Sequence, residues 1–383
     1  MSLIAGLTSR LQRWAAAGSY AWHARGGRET DLSWVVGPDE FATMLTSVGS
    51  AIADSYTVCL TRHPYYSVKY DYEGAPNVRI GVLRMIAEGW AFGQQAARSR
   101  GFIYLGSNGF LRAQPDARAF EYAFLKQRGK KICSMFIGSD IRAPRVMAQQ
   151  EAELGIPNIA TYLPAVSPVF ASDSYDQFRR ELARIADAYS DIIFSASKDQ
   201  AGYLTSETQP FMYYYPEGDI VSSLEKFNES EKLIVLHAPS SPVIKGTQLV
   251  RAAVAKLQSE GFDFEYVELS GVAHEEVTAQ LQRAHIVLNQ FYAYVPGVFG
   301  VEAMAAGTVL LQSADETLEP DLPAGSNDAW VVTKHHEVAE KLRTVLQMTP
   351  GELRKQADAG RHWVGTHATA PVSGRKLREL LGE

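Results

Sequence analysis

Two cysteines, Cys59 and Cys133, are all that this 383-residue chain contains. They stand far apart in apolar, strand-like runs and form no metal pattern, so they read as free buried thiols of a cytosolic protein. Positive charge is not in excess. The net charge is -6, which excludes a global basic field for nucleic acid. No apolar run is as long as a membrane span, and Arg10 and Arg13 interrupt any signal-peptide core. A cytoplasmic location is therefore expected. There is no Gly-x-Gly-x-x-Gly fingerprint, which disfavours a hydride-transfer cofactor. There is no Asp-x-Asp pair to hold a metal on a diphosphate, no clustered His/Cys pattern for zinc and no Gly-x-Ser-x-Gly elbow. Tandem repeats and low-complexity segments are also missing.

What remains is an ordinary soluble composition, 46% hydrophobic and 21% charged, long enough for two domains. Strand and helix patterns alternate. Strands are expected at 32–36, 56–61, 101–105, 131–136 and 191–195, with helices at 40–53, 85–97, 120–128 and 176–189 between them. A polar stretch at 222–232 follows the turn at Pro216-Glu217-Gly218-Asp219. The pattern then restarts, with strands at 233–236, 264–269, 285–288 and 308–311 and helices at 247–259, 275–283 and 301–306. Such βα alternation predicts an α/β protein with parallel sheets covered on both faces, in two lobes. The lobes are expected at 1–218, joined by 365–383, and at 232–364.

The first 28 residues carry four arginines (Arg10, Arg13, Arg25, Arg28) and no acid. Leu3, Ile4, Leu7, Leu11, Trp14 and Trp22 recur at roughly helical spacing. This predicts a basic amphipathic helix that either docks on anionic lipid, at the inner face of the plasma membrane, or covers the edge of the first lobe.

Candidate chemistry concentrates between His237 and Gly307. Lys245 precedes Gly246-Thr247 at a helix start, where an ammonium and the helix dipole can together hold a diphosphate. Ser240 and Ser241 share its loop, either to bind phosphate oxygens or to form the turn. Gly300 lets backbone approach a ligand, and Glu302, just inside the next helix, can accept two hydrogen bonds from a ribose diol. His237 ends the first strand of the second lobe, which is the ligand edge of a parallel sheet; it binds a phosphate or sugar, acts as a proton donor, or is a structural histidine. In the first lobe Asp140 and Arg142 follow a strand directly. They orient sugar or acceptor, or form an ion pair that holds a loop. Gly106-Ser107-Asn108-Gly109 also follows a strand on the acceptor side. A site without metal must neutralise phosphate with lysine, arginine and helix ends.

The second lobe resembles that of the GT-B glycosyltransferases of the retaining family 4. The resemblance rests on Lys245-Gly246 and on Phe299-Gly300-Val301-Glu302-Ala303-Met304-Ala305-Ala306-Gly307. Gly271-Val272-Ala273-His274 resembles the loop that flanks the base, and Gly138-Ser139-Asp140 resembles a segment of the first lobe. The chain departs from the family at three places. Tyr294 stands where the first of its paired glutamates would be, Ser240 replaces an arginine, and Ile137 replaces a histidine. The resemblance implies two Rossmann-like lobes facing across a cleft, with a C-terminal helix crossing back. It implies transfer of a sugar, with retention, from a nucleotide diphosphate sugar to a glycan or lipid-linked acceptor in envelope or polysaccharide biosynthesis. The donor is a substrate, so no resident cofactor is expected. In that picture Lys245 and helix ends hold the diphosphate, Glu302 the ribose, Gly271 and Phe299 line the donor, and His237 or Tyr294 stands in for the missing sugar contacts. A nucleotide-sugar epimerase or a non-catalytic partner protein are the alternatives.

Overall fold

The computed structural model describes residues 3–25, 31–61, 68–74, 81–112, 114–229 and 232–383, without the side chains of residues 3–5. Ten strands form two sheets: β1 Leu32–Gly37, β2 Tyr56–Thr57, β3 Ser99–Leu105, β4 Lys131–Met135, β5 Ile192–Phe194, β6 Leu233–His237, β7 Phe264–Glu268, β8 Ile286–Leu288, β9 Val309–Gln312 and β10 Val331–Val332. The orders are β2-β1-β3-β4-β5 and β10-β9-β8-β6-β7, with every pairing parallel. The two sheets share one winding. In each, the second strand lies on one side of the first, and the third, fourth and fifth lie on the other. The order therefore reverses between β1 and β3 and again between β6 and β8. Crevices at the carboxyl ends of such strands are where α/β sheets bind ligands.

The strands are apolar on both faces because helices cover both. Val35, Val36, Phe102, Ile103, Leu236, Val287 and Leu310 are fully buried. Each such side chain is worth roughly 1.5–3 kcal/mol of burial. Two connections join the lobes. The Tyr213–Tyr215 stretch carries the chain over, and the C-terminal chain returns beside it. The amide of Tyr215 bonds the Ala368 carbonyl, and that of Ala370 bonds the Tyr215 carbonyl, both at 2.8 Å. The final helix, Ala370–Leu381, then packs Leu377 and Leu381 on the first lobe among Trp34, Met44 and Leu45. Arg378 Nη1 ties it to the Ala51 carbonyl at 2.6 Å.

Three expectations change. The helix expected at 40–53 is only Met44–Ser50. Ala42 and Thr43 take positive φ (48° and 65°), and the Glu40 carboxylate accepts the Leu45 amide, so the chain turns before the helix begins. The strand expected at 56–61 is regular only at Tyr56–Thr57, because beyond it pairing passes to isolated bridges of Val58 with Tyr72 and Asp39 with Thr61. Two helices, Pro144–Leu154 and Ile159–Val166, were not foreseen. The first buries only Met147, too thin a stripe to read, and the second contains Pro164. Asn158 and Thr161 form a reciprocal capping box that starts the second.

Candidate functional site

The carboxyl ends of β6 and β8 build the site. After β6 the chain turns through Ser240 and Ser241 into a single helical turn, Pro242–Lys245. Gly246 ends that turn at φ +79°, a conformation that costs glycine little, and launches the Thr247–Ser259 helix. After β8, Asn289 and Gln290 act as brackets. Asn289 Nδ2 donates to the Pro296 carbonyl and to Gln312 Oε1, both at 2.8 Å, and Gln290 Nε2 donates to the Val295 carbonyl at 2.7 Å. Together they fix the entry to the Gly297–Ala305 helix, whose first amide donates to the Tyr213 hydroxyl at 3.1 Å.

These elements enclose a cavity of about 350 Å³. Lys245, Ser240, Gly271, Asn289, Phe299 and Glu302 line it, and Ala42 reaches in from the first lobe. A lysine and a glutamate 57 positions apart (302 − 245) thus open onto one space at a helix N-terminus. The Lys245 ammonium donates to Gln290 Oε1. Desolvation lowers its pKa to about 8, the nearby Arg142 guanidinium adds to that, and Asp199 opposes it. Glu302 Oε1 accepts a 2.8 Å hydrogen bond from His274 Nε2. That bond raises the histidine's pKa against the effect of burial. Glu302, His274 and Val298 also line a second, larger cavity of about 710 Å³, which runs between the Met44–Ser50 helix and the Tyr213–Tyr215 crossing. Among the described residues no cluster of three or more His, Cys, Asp or Glu side chains is placed to hold a metal ion.

No protein-family model matches this sequence, and no curated protein does either. Solved structures do match. Sucrose-phosphate synthase from Thermosynechococcus elongatus superposes with a TM-score of 0.61 at 13% identity, over 93% of this chain and 100% of that one. An alpha-glucosyltransferase in complex with UDP-glucose and DNA containing an abasic site gives 0.54 at 9% identity, over 92% and 99%. WaaG, a glycosyltransferase involved in lipopolysaccharide biosynthesis, gives 0.52 at 12% identity, over 92% and 100%. The fold is GT-B. The cavity at Lys245 and Glu302 lies at the carboxyl ends of β6 and β8, with Ala42 of the first lobe on its wall.

The other candidate residues fall in different places. His237 is fully buried with both ring nitrogens engaged: Nδ1 with the Leu288 carbonyl at 2.7 Å and Nε2 with Thr247 Oγ1 at 2.9 Å. A carbonyl can only accept, so Nδ1 carries the hydrogen and Nε2 accepts from the hydroxyl. Burial lowers its pKa, which keeps it neutral. It braces β6, β8 and the Thr247–Ser259 helix, and no proton is left over for a substrate. Asp140 folds back on its own loop, accepting the amides of Ile137 (3.0 Å) and Gly138 (2.7 Å). Arg142 does not pair with it. The arginine is buried against Asp199, through its carboxylate and, at 2.7 Å, its carbonyl. Gly300 lies inside the helix. A Cβ there would meet Asn289 Nδ2 at 2.8 Å and Gln312 Oε1 at 3.0 Å, so its smallness serves packing on that pair and not ligand approach. Ser241 precedes the Pro242–Lys245 turn without a side-chain cap bond. Tyr294 is 1% exposed, and its amide donates to Asp199 Oδ1 at 2.7 Å.

Asp199 is thus a junction that sequence reading overlooked. It holds Arg142 in its own lobe and the Tyr294 backbone in the other. Glu319 of the second lobe completes the contact by accepting from Ser197 Oγ and from the amides of Lys198 and Asp199 at 2.7–3.0 Å. Nothing local marks either acid. Asn289 and Gln290 were missed as well, although their place directly after a strand at its carboxyl end could have flagged them.

Proposed function

We propose that this chain transfers a sugar from a nucleotide diphosphate sugar to a glycan or lipid-linked acceptor, with retention and without a metal, at the cytoplasmic face of a membrane where envelope or polysaccharide chains are made. The observation that carries this reading is the convergence of Lys245 and Glu302 on one cavity at the start of the Gly297–Ala305 helix. An ammonium and a helix N-terminus suit the diphosphate, and the carboxylate suits the ribose hydroxyls. The Gly271–Val272 loop lines the same cavity and would flank the base. The alpha-glucosyltransferase with this fold has UDP-glucose bound, and WaaG belongs to lipopolysaccharide biosynthesis; both agree with the reading. As the sugar–phosphate bond breaks, charge grows on the diphosphate. Lys245 and the helix start would stabilise it without a general acid, which fits the engagement of both His237 nitrogens elsewhere. Closure of the lobes would keep water from the donor.

A thermal-shift screen with UDP, GDP, CDP, ADP and their sugars tests the site, because a bound nucleotide stabilises the fold according to its affinity. Stabilisation by one nucleotide family, lost in Lys245→Ala, is expected. A flat response to all of them would remove the donor site. Incubating the donor with and without acceptor separates transfer from epimerisation.

A second reading has one specific support. In the family resemblance Tyr294 stands at a sugar-contacting glutamate, and here it is buried where the lobes meet. A GT-B protein that binds nucleotide but transfers nothing would look like this. Detectable transfer by the purified chain excludes it.

A further inference from the structure

The Leu3–Ala24 helix lies on the Gly81–Arg98 helix with an inverted face. Its inward stripe is small and polar: Thr8, Ser9, Gln12, Ala16 and Ser19 are buried. Close approach explains that choice. A Cβ on Gly89 would meet the Gln12 carbonyl at 2.5 Å, and one on Gly93 the Ala16 carbonyl at 2.1 Å, so backbone packs on backbone and no large side chain fits between. Tyr20 packs inward on Phe124, but three of the largest apolar side chains point out. Leu7, Trp14 and Trp22 are 60%, 71% and 72% exposed. The partner helix adds Leu83 and Trp90, and Trp90 lies edge-on to His23 at 6.1 Å. Among the described residues of the two helices, exposed charge has one sign, although Arg98 pairs with the exposed Asp31 beyond them. Arg10 and Arg25 are exposed, while the lone carboxylate of the two helices, Glu88, is buried and paired with Arg84 and Arg112. That is the reverse of the chain's net charge of -6. Of the stripe expected from sequence, Leu3 and Ile4 have side chains outside the described structure, as does Arg28.

We infer that this face docks on an anionic lipid bilayer. A helix usually turns its large apolar side chains to the protein; one that turns them to solvent needs another apolar phase. Tryptophans with a ring body and an N–H suit the headgroup boundary, and flanking arginines suit anionic headgroups. Within the two helices the described exposed charge is basic, which favours a lipid surface over a neutral protein groove. It deepens the membrane placement proposed above but rests on none of the donor-site residues, so its readout and that of sugar transfer can fail separately.

Vesicle flotation of the full chain tests it. Binding is expected to vesicles containing phosphatidylglycerol, with a blue shift of tryptophan fluorescence, and not to pure phosphatidylcholine; added salt should weaken it. Arg10→Gln and Arg25→Gln should each lower partitioning about fivefold, and Trp14→Ala/Trp22→Ala should abolish the binding and the shift. These side chains are exposed, so the variants should keep the parent melting temperature and nucleotide response. Failure to float with phosphatidylglycerol, or equal binding by the double tryptophan variant, overturns the proposal. A lipid-independent dimer that dissociates in the double tryptophan variant also overturns it, by assigning the face to a second copy.

Discussion

His274 Nε2 and Glu302 Oε1 meet at 2.8 Å on the wall shared by the two cavities of the cleft. The hydrogen bond to Glu302 is the leading cause that raises the histidine's pKa. A group whose folded pKa lies above its unfolded value contributes stability below the unfolded pKa and loses it as pH rises through the folded one. The destabilisation of His274→Gln should therefore be largest at about pH 5.5 and fade above neutrality, seen as a difference in melting temperature that shrinks with pH. A difference independent of pH would mean that the pair is not titrating.

The same carboxylate is proposed to hold the ribose. Glu302→Ala should weaken ribonucleoside diphosphate binding about ten- to a hundredfold, the range of a hydrogen bond to a charged group. It should leave a 2′,3′-dideoxy analogue almost unchanged. Calorimetric titration with both ligands measures the contrast. Equal losses would place Glu302 away from the sugar ring.

Lys245 titrates near 8 because its ammonium is desolvated. If the ammonium grips the diphosphate, affinity is full below that pH and falls above it, by up to about tenfold per pH unit. Binding would also take up protons near pH 8, which calorimetry in buffers of different ionisation enthalpy detects. Lys245→Ala should flatten the profile and cost an order of magnitude or more in affinity at about pH 7.

Breaking the junction between the lobes has a calculable direction. Asp199→Asn leaves Arg142 buried without its carboxylate partner, a change that typically costs about 3–5 kcal/mol. It should lower the denaturation midpoint sharply, while an exposed pair such as Arg184 with Glu181 should contribute below about 1 kcal/mol. Urea titration compares the two.

Tyr294→Glu would recreate the family's letter at that position, yet the tyrosine is buried beside Asp199. A second carboxylate there should destabilise the fold and not restore a sugar contact. Tyr294→Phe should be nearly neutral. Denaturation midpoints together with transfer assays check both.

The alternation of apolar strands and helices was enough to predict two parallel-sheet lobes, since residues buried on both faces must be apolar throughout. The Lys-Gly turn was equally plain, but the helix expected at 301–306 begins at Gly297, so Glu302 is its sixth residue and not one just inside its start. The Pro144–Val166 helices were hidden by a thin buried stripe and an internal proline. By itself the sequence determined the two parallel-sheet lobes, because strands covered on both faces must be apolar throughout. Only tertiary structure decided that His237 has no nitrogen to spare, that Arg142 answers to Asp199 rather than Asp140, that Gly300 serves packing and that the first helix shows solvent its tryptophans. Each of those outcomes depends on a partner from 10 to 77 residues away, and no local pattern carries the direction in which a side chain finds it.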